Sequence, residues 1–306
     1  MSATRRQLQV VAMLFATFCV TIGSATVVAA AEQQIEIAGM KVTVWTPENV
    51  ATGKYPLVIF SHGFHGCAPQ GRYLMQAFAD DGYWVFAPHH KDSTCNGGKG
   101  HFWESPDVSF SDAGSWSETT HKDRHDDIVK LINFLHADDR FRDHLDWTRF
   151  GLAGYSLGGY TVLALGGAWP QWKIPDVKAI LGLSPYCEPF SAQGTLSGIS
   201  APVMYQGGTW DAGITPTLNG DRGCYDNSPQ PKYYVEFDRA GHFAWTDLLE
   251  KFHADIIKYS LAFMDQHVKG EPRSALLDDP MPSVTRLRTL SNDRNVDTSY
   301  QQKRNK

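Results

Sequence analysis

The sequence predicts an α/β fold, a mostly parallel twisted sheet with helices on both faces, and three observations predict it. Strand-like and helix-like segments alternate along most of the chain, which implies right-handed crossovers between parallel strands. The runs Tyr55–Ser61 (YPLVIFS) and Tyr83–Pro88 (YWVFAP) are continuously apolar, the pattern of strands buried on both faces. Gly154, Gly158 and Gly159 crowd around Ser156 between two apolar segments, as at a sharp strand-to-helix turn. The 306 residues, 42% hydrophobic and 20% charged, suit one large globular domain.

The elements follow in order. Gln34–Ile37 and Lys41–Thr46 read as short strands, the second alternating like a half-buried antiparallel edge. After the Tyr55–Ser61 strand, Tyr73–Asp80 reads as a helix and Tyr83–Pro88 as the next strand. Residues 91–119 are rich in Gly, Ser and Asp and read as a long loop. A helix follows, with Thr120 and Asp123 at capping-box spacing and Ile128, Leu131, Ile132 and Leu135 in one apolar stripe. Strand 149–155 leads into helix 157–168; strands 177–184, 201–206 and 232–237 come next, before a last amphipathic helix at about 252–267. Residues 271–306 are polar, with Pro272, Pro280 and Pro282 early on, and read as a wrapping tail that becomes disordered.

The amino terminus has the layout of a secretory signal peptide. Arg5 and Arg6 precede an apolar run from Val10 to Val28, and Ala29-Ala30-Ala31 offers a small-residue cleavage site. This sets the expected organisation: residues 1–31 as signal, 32–270 as the folded domain, 271–306 as the tail. Such a chain is exported, to the periplasm or the medium, and keeps no stable membrane anchor after cleavage. Removing residues 1–31 takes away two arginines and no acid, so the net charge of −5 becomes −7. That balance excludes nucleic acid and anionic membrane as partners. Export also changes the reading of the cysteines. Cys19 leaves with the signal, while Cys67, Cys95, Cys187 and Cys224 remain for an oxidising compartment. Three pairings are possible. Cys67–Cys95 with Cys187–Cys224 is favoured, since each then joins loops at neighbouring strand ends.

The glycines around Ser156 now acquire a chemical meaning. In Gly154-Tyr155-Ser156-Leu157-Gly158 a tight turn would lift the serine hydroxyl to the carboxyl end of the sheet. It would also set the Leu157 N–H at a helix start, where a forming oxyanion is stabilised. A serine hydroxyl needs a base, and His242 in RAGHF, after the last parallel strand, is the candidate. Asp211, just past the strand at 201–206, is the expected orienting acid; Glu188 is its rival, and Asp238 is too close to His242 along the chain. The Phe64 N–H in Ser61-His62-Gly63-Phe64-His65-Gly66 is the expected second oxyanion donor, with His62 and His65 as supports. Tyr155, Trp210, Phe243 and Trp245 flank these motifs and are candidate substrate-pocket walls, and the 91–119 loop is a candidate cleft edge. His121 and His125, four apart beside Asp126 and Asp127, have half the spacing of a metal site but no evident third ligand, and read as a solvated helix face. No metal and no cofactor is expected.

The motifs FSHGFHG (60–66), GYSLGG (154–159), GGTWD (207–211) and AGHFAW (240–245) resemble those of the α/β-hydrolase superfamily, in the order nucleophile, acid, histidine. Within it the chain resembles serine esterases of the dienelactone hydrolase-like and platelet-activating factor acetylhydrolase-like group. The resemblance implies the α/β-hydrolase fold and hydrolysis of carboxylic esters through an acyl-enzyme on Ser156, with a small-molecule or polymeric ester as partner. True dienelactone hydrolases are cytosolic and use cysteine, so Ser156 and the signal argue against dienelactone as substrate. Cutinase-type polyester hydrolysis and lipid (acetyl) ester hydrolysis are the alternative substrate classes, and a catalytically silent binding protein of the same fold is the alternative of a different kind.

Overall fold

The computed structural model describes residues 31–48, 53–96 and 106–299, so the signal-peptide expectation for the first thirty residues and part of the 91–119 loop lie outside the described residues. Ten strands form one sheet in the order β1-β2-β4-β3-β5-β6-β7-β8-β9-β10. The central six, β4 (Trp84–Pro88), β3 (Tyr55–Ser61), β5 (Leu145–Tyr155), β6 (Ala179–Leu183), β7 (Val203–Gly208) and β8 (Lys232–Phe237), run parallel. The hairpin of β1 (Ala31–Ile37) and β2 (Met40–Thr46) adds antiparallel at one edge. This is the α/β-hydrolase fold.

Strand alternation supplies both core layers. In β3, Leu57 and Ile59 face one layer while Val58 and Phe60 face the other. The first layer is closed by α2 (Lys122–Ala137), through Ile128, Leu131 and Leu135, and by α3 (Leu157–Leu163). The second is closed by α1 (Arg72–Asp80) and α4 (His253–Met264), through Leu74, Phe78, Ile256, Tyr259 and Phe263. Every parallel strand is therefore covered on both faces, which is why these strands read as unbroken apolar runs. Among the described residues no helix is long and apolar enough to cross a membrane.

Two expectations are corrected. Residues 271–299 are not a disordering tail: β9 (Val284–Ser291) pairs antiparallel with β8, and β10 (Arg294–Ser299) pairs with β9. Only Val284, Leu287 and Thr289 of β9 are buried, with Thr289 donating to the Leu277 carbonyl at 2.9 Å. A strand close to the sheet edge needs so few inward side chains that composition alone reads it as polar coil. The expected capping box at α2 is also absent. His121 occupies the cap position at φ 55°, and the Thr120 hydroxyl accepts from the Ser117 N–H of the preceding turn instead. His121 is buried against Trp116 rather than solvated, so the solvated-face reading holds only for its exposed neighbour Asp126.

Candidate active site

Ser156 lies between β5 and α3 at φ 54°, ψ −116°. A non-glycine residue held there costs about 1–3 kcal/mol, and the surroundings over-determine it. Its N–H donates to Leu183 O at 3.0 Å, and its carbonyl accepts from the Tyr160 and Tyr186 N–H groups at 3.1 and 3.0 Å. The glycines are where chain meets chain. A Cβ on Gly154 would lie 2.2 Å from Gly158 O, one on Gly158 would lie 1.9 Å from Ser61 O, and one on Gly159 would lie 2.3 Å from Pro185 Cβ. No side chain fits, so the turn packs directly against β3 and the loop after β6.

The hydroxyl so presented meets His242. Ser156 Oγ is 3.0 Å from His242 Nε2, and His242 Nδ1 is 3.0 Å from Asp211 Oδ2. A carboxylate accepts, so Nδ1 carries the ring proton and Nε2 is left to accept from the serine. Asp211 is buried in the turn after β7, its N–H on Gly208 O and its carbonyl taking the Ile214 and Thr215 N–H groups. The Tyr155 hydroxyl donates to the His242 carbonyl at 2.9 Å, steadying the loop that carries the imidazole. The rival acid Glu188 lies instead on the wall of the cleft, and Asp238 pairs with Arg239.

Ser184 belongs to this cluster and was missed in the sequence. At the carboxyl end of β6, fully buried, its hydroxyl donates to Asp211 Oδ2 and its oxygen is 2.9 Å from His242 Nδ1. The signal was its place in SPY at the end of β6, beside the strand that leads to Asp211; only the strand order makes these two ends neighbours.

The cleft over Ser156 encloses about 560 Å³ and is walled by Phe64, Phe110, Tyr155, Tyr186, Ile214 and Phe243, with Glu188 at one side. Tyr155 and Phe243 are thus wall residues. Trp210 is not: it is 65% exposed and outside the lining. Trp245 is a core residue, its indole donating to Gln206 Oε1 at 2.9 Å. Phe110 shows that the described part of the 91–119 loop does edge the cleft. Phe64 lies on the wall, Leu157 opens α3, and neither N–H has a hydrogen-bond partner among the described residues. Disulfides join Cys67 to Cys95, behind the Phe64 segment, and Cys187 to Cys224, beside Tyr186 and Glu188. Among the described residues no group of three His, Cys, Asp or Glu side chains could hold a metal ion.

The sheet order and the sharp turn at Ser156 are those of the α/β-hydrolase fold, and the comparisons with known proteins point to ester hydrolases. Residues 33–99 match the family model described as platelet-activating factor acetylhydrolase, isoform II. Cutinase 2 of Thermobifida cellulosilytica is 30% identical over 139 residues, 45% of this chain and 48% of the relative. Cutinase est2 of Thermobifida alba is 28% identical over 155 residues, 47% of each chain. A bis(hydroxyethyl) terephthalate hydrolase of Streptomyces coelicolor is 21% identical over 248 residues, 79% of this chain and 67% of the relative. The chain spans about half the length of the cutinases it matches.

Proposed function

We propose that this protein is an exported carboxylic ester hydrolase that works through an acyl-enzyme on Ser156. The observation that carries the reading is the unbroken chain from Ser156 Oγ to His242 to Asp211, 3.0 Å at each link. In this reading His242 Nε2 takes the hydroxyl proton as Ser156 Oγ bonds to the ester carbonyl carbon. The Phe64 and Leu157 N–H groups receive the oxyanion. His242 returns its proton to the leaving alcohol, and a water molecule then repeats the sequence on the acyl-enzyme. Asp211 holds the ring and stabilises its cationic form. An oxyanion donor in such a site is worth about 10²–10³ in rate.

The mostly aromatic cleft, with Glu188 as the acid on its wall, favours neutral, apolar esters over anionic ones. The similarity to proteins named cutinase and bis(hydroxyethyl) terephthalate hydrolase supports aromatic or polymeric esters as the first substrates to try. The two disulfides and the signal-like amino terminus support export.

The test is hydrolysis of p-nitrophenyl esters of increasing chain length by the wild type and by Ser156→Ala. The expected result is activity in the wild type that drops by about 10⁴-fold or more in the variant. Activity surviving the substitution overturns the nucleophile. A folded but inert wild type turns the reading toward a binding protein of this fold.

A further inference from the structure

Behind the Phe64 segment lies a buried cation that the reaction as described does not use. Arg124, on α2, is fully buried. Its guanidinium donates to the His62 carbonyl at 2.7 Å, to the Gly63 carbonyl at 3.2 Å, to Ser61 Oγ at 3.2 Å and to Asp92 Oδ2 at 2.7 Å. A buried charge survives only if paired and well bonded. Here the carboxylate of Asp92 supplies the pairing, two backbone carbonyls of one short loop and the Ser61 hydroxyl take three more donors, and Nε is left without a partner among the described residues.

The position of those oxygens matters. In a trans peptide the C=O and the N–H point in opposite directions across one rigid plane. The Gly63 carbonyl and the Phe64 N–H share such a plane. Gly63 O accepts from Arg124, from His62 Nδ1 at 2.7 Å and from the Gly66 N–H at 3.0 Å, so it is held from one side by three donors. The Phe64 N–H must then face the other way. The rest of the loop is tied as well: the Gly63 N–H goes to Gln70 Oε1 at 2.9 Å, the His65 N–H to Asp92 Oδ2 at 3.3 Å, and the His65 carbonyl takes the Thr94 hydroxyl at 2.9 Å. The Phe64 N–H is left without a partner among the described residues, beside the cleft that Phe64 and Ser156 both line.

We infer that Arg124, held by Asp92, is the positioning residue of the oxyanion hole: it pins the Gly63–Phe64 peptide plane so that the Phe64 N–H points at the oxygen of the tetrahedral intermediate. The inference rests on the esterase reading above. It also gives the fork of arginine a reason, because a lysine ammonium cannot grip two successive carbonyls and a carboxylate in one plane. Charge-assisted donation to Gly63 O further polarises the same peptide and makes its N–H a better donor.

The test uses Arg124→Met combined with Asp92→Asn, which removes both charges together, and Arg124→Lys, which keeps the charge but not the fork. Both variants are expected to lose about 10–100-fold in kcat with KM within about twofold, the mark of a group felt only in the transition state. Affinity for a trifluoromethyl ketone, which forms an oxyanion adduct on serine, should fall by the same factor, while affinity for the matching trifluoromethyl carbinol, which has no carbonyl and forms none, should not. Unchanged kcat per folded molecule, or equal losses for both inhibitors, overturns the inference. If neither variant folds, the wild type decides: the Phe64 amide proton must shift downfield when the trifluoromethyl ketone binds, and an unmoved resonance overturns the inference. Ser156→Ala separates the two failures. A Ser156→Ala enzyme that keeps its activity sinks the esterase site as a whole, whereas an inactive Ser156→Ala beside a fully active Arg124 variant sinks only the role of Arg124.

Discussion

The Ser156 turn at the end of β5 and the Phe64 segment at the end of β3 lie side by side, and opposite means hold them. The turn is held by the absence of atoms. Gly154, Gly158 and Gly159 let three backbones touch, and the strained φ of Ser156 is trapped because nothing can move. The Phe64 segment is held by the presence of charge. Arg124 holds the His62 and Gly63 carbonyls, His62 Nδ1 also holds the Gly63 carbonyl, Asp92 holds the His65 N–H and Gln70 the Gly63 N–H, and the Cys67–Cys95 disulfide closes the segment from behind. The lesson is that steric trapping and polar trapping fail under different perturbations. The first is insensitive to pH and intolerant of a single methyl group; the second tolerates small changes of shape and is sensitive to protonation.

The largest effect should come from breaking the steric side. Gly158→Ala puts a methyl group 1.9 Å from Ser61 O and should cost more than about 4 kcal/mol in urea denaturation, or prevent folding. Tolerance of that alanine would mean that the turn is not trapped as described. Breaking the polar side comes next. Burial by itself would raise the Asp92 carboxyl, but the Arg124 guanidinium outweighs it and holds the group well below the usual carboxylate range. Asp92→Asn leaves the Arg124 cation unpaired and should cost about 3–5 kcal/mol, read in the same denaturation.

Ser184 tests the junction between acid and base. Its hydroxyl donates to a buried carboxylate, a bond worth about 1.5–3 kcal/mol. Ser184→Ala should therefore lower kcat by about 10–100-fold and leave KM nearly unchanged in steady-state assays. An unaltered kcat would reduce Ser184 to packing.

The next effect is one of pH and separates the two regions. Burial, and then Arg124, push His62 well below its ordinary value of 6.5, and burial does the same to His90. Both stay neutral in the folded chain, while the unfolded chain takes up their protons below pH 6.5. Their contribution is complete above that pH and is lost as pH falls. Burial also pushes Asp127 up to about 6, so between pH 6 and 4 the folded chain holds one proton that the unfolded chain does not, which offsets part of the loss. For these three groups the balance near pH 5.5 is about one proton, a contribution of about 1.4 kcal/mol per pH unit to the slope in urea denaturation. A flat profile from pH 7.5 to 5 would contradict the polar trapping. The smallest effect is the control. Gly213, also on the cleft wall, has open space where a Cβ would go, so Gly213→Ala should stay within about ±0.5 kcal/mol.

Much of this was legible in the chain. Ser156, Asp211 and His242 each sit just beyond a strongly apolar strand, and such strands announce themselves because parallel strands are buried on both faces. The cysteine pairs followed from the same strand ends. What escaped was whatever depends on a partner distant in sequence. Arg124 reads as one charge in HKDRHDD, and only the packing of α2 against the sheet brings it to the Gly63 carbonyl, 61 residues away in the chain. Trp210 and Trp245 look alike beside their motifs, yet one is solvent-exposed and the other core, because exposure is set by which side of the turn each backbone presents.

The sequence by itself determined the class of fold, the turn at Ser156 and the order of Ser156, Asp211 and His242 along the chain. These rest on local rules: periodicity of burial, the conformational freedom of glycine, and the need of a turn at each strand end. Tertiary structure alone decided that β9 and β10 extend the sheet, that Ser184 joins Asp211 and His242, and that a buried arginine underpins the Phe64 segment. Those are contacts between segments far apart in the chain, and a hydrogen bond or ion pair across such a distance leaves no periodic trace in either partner.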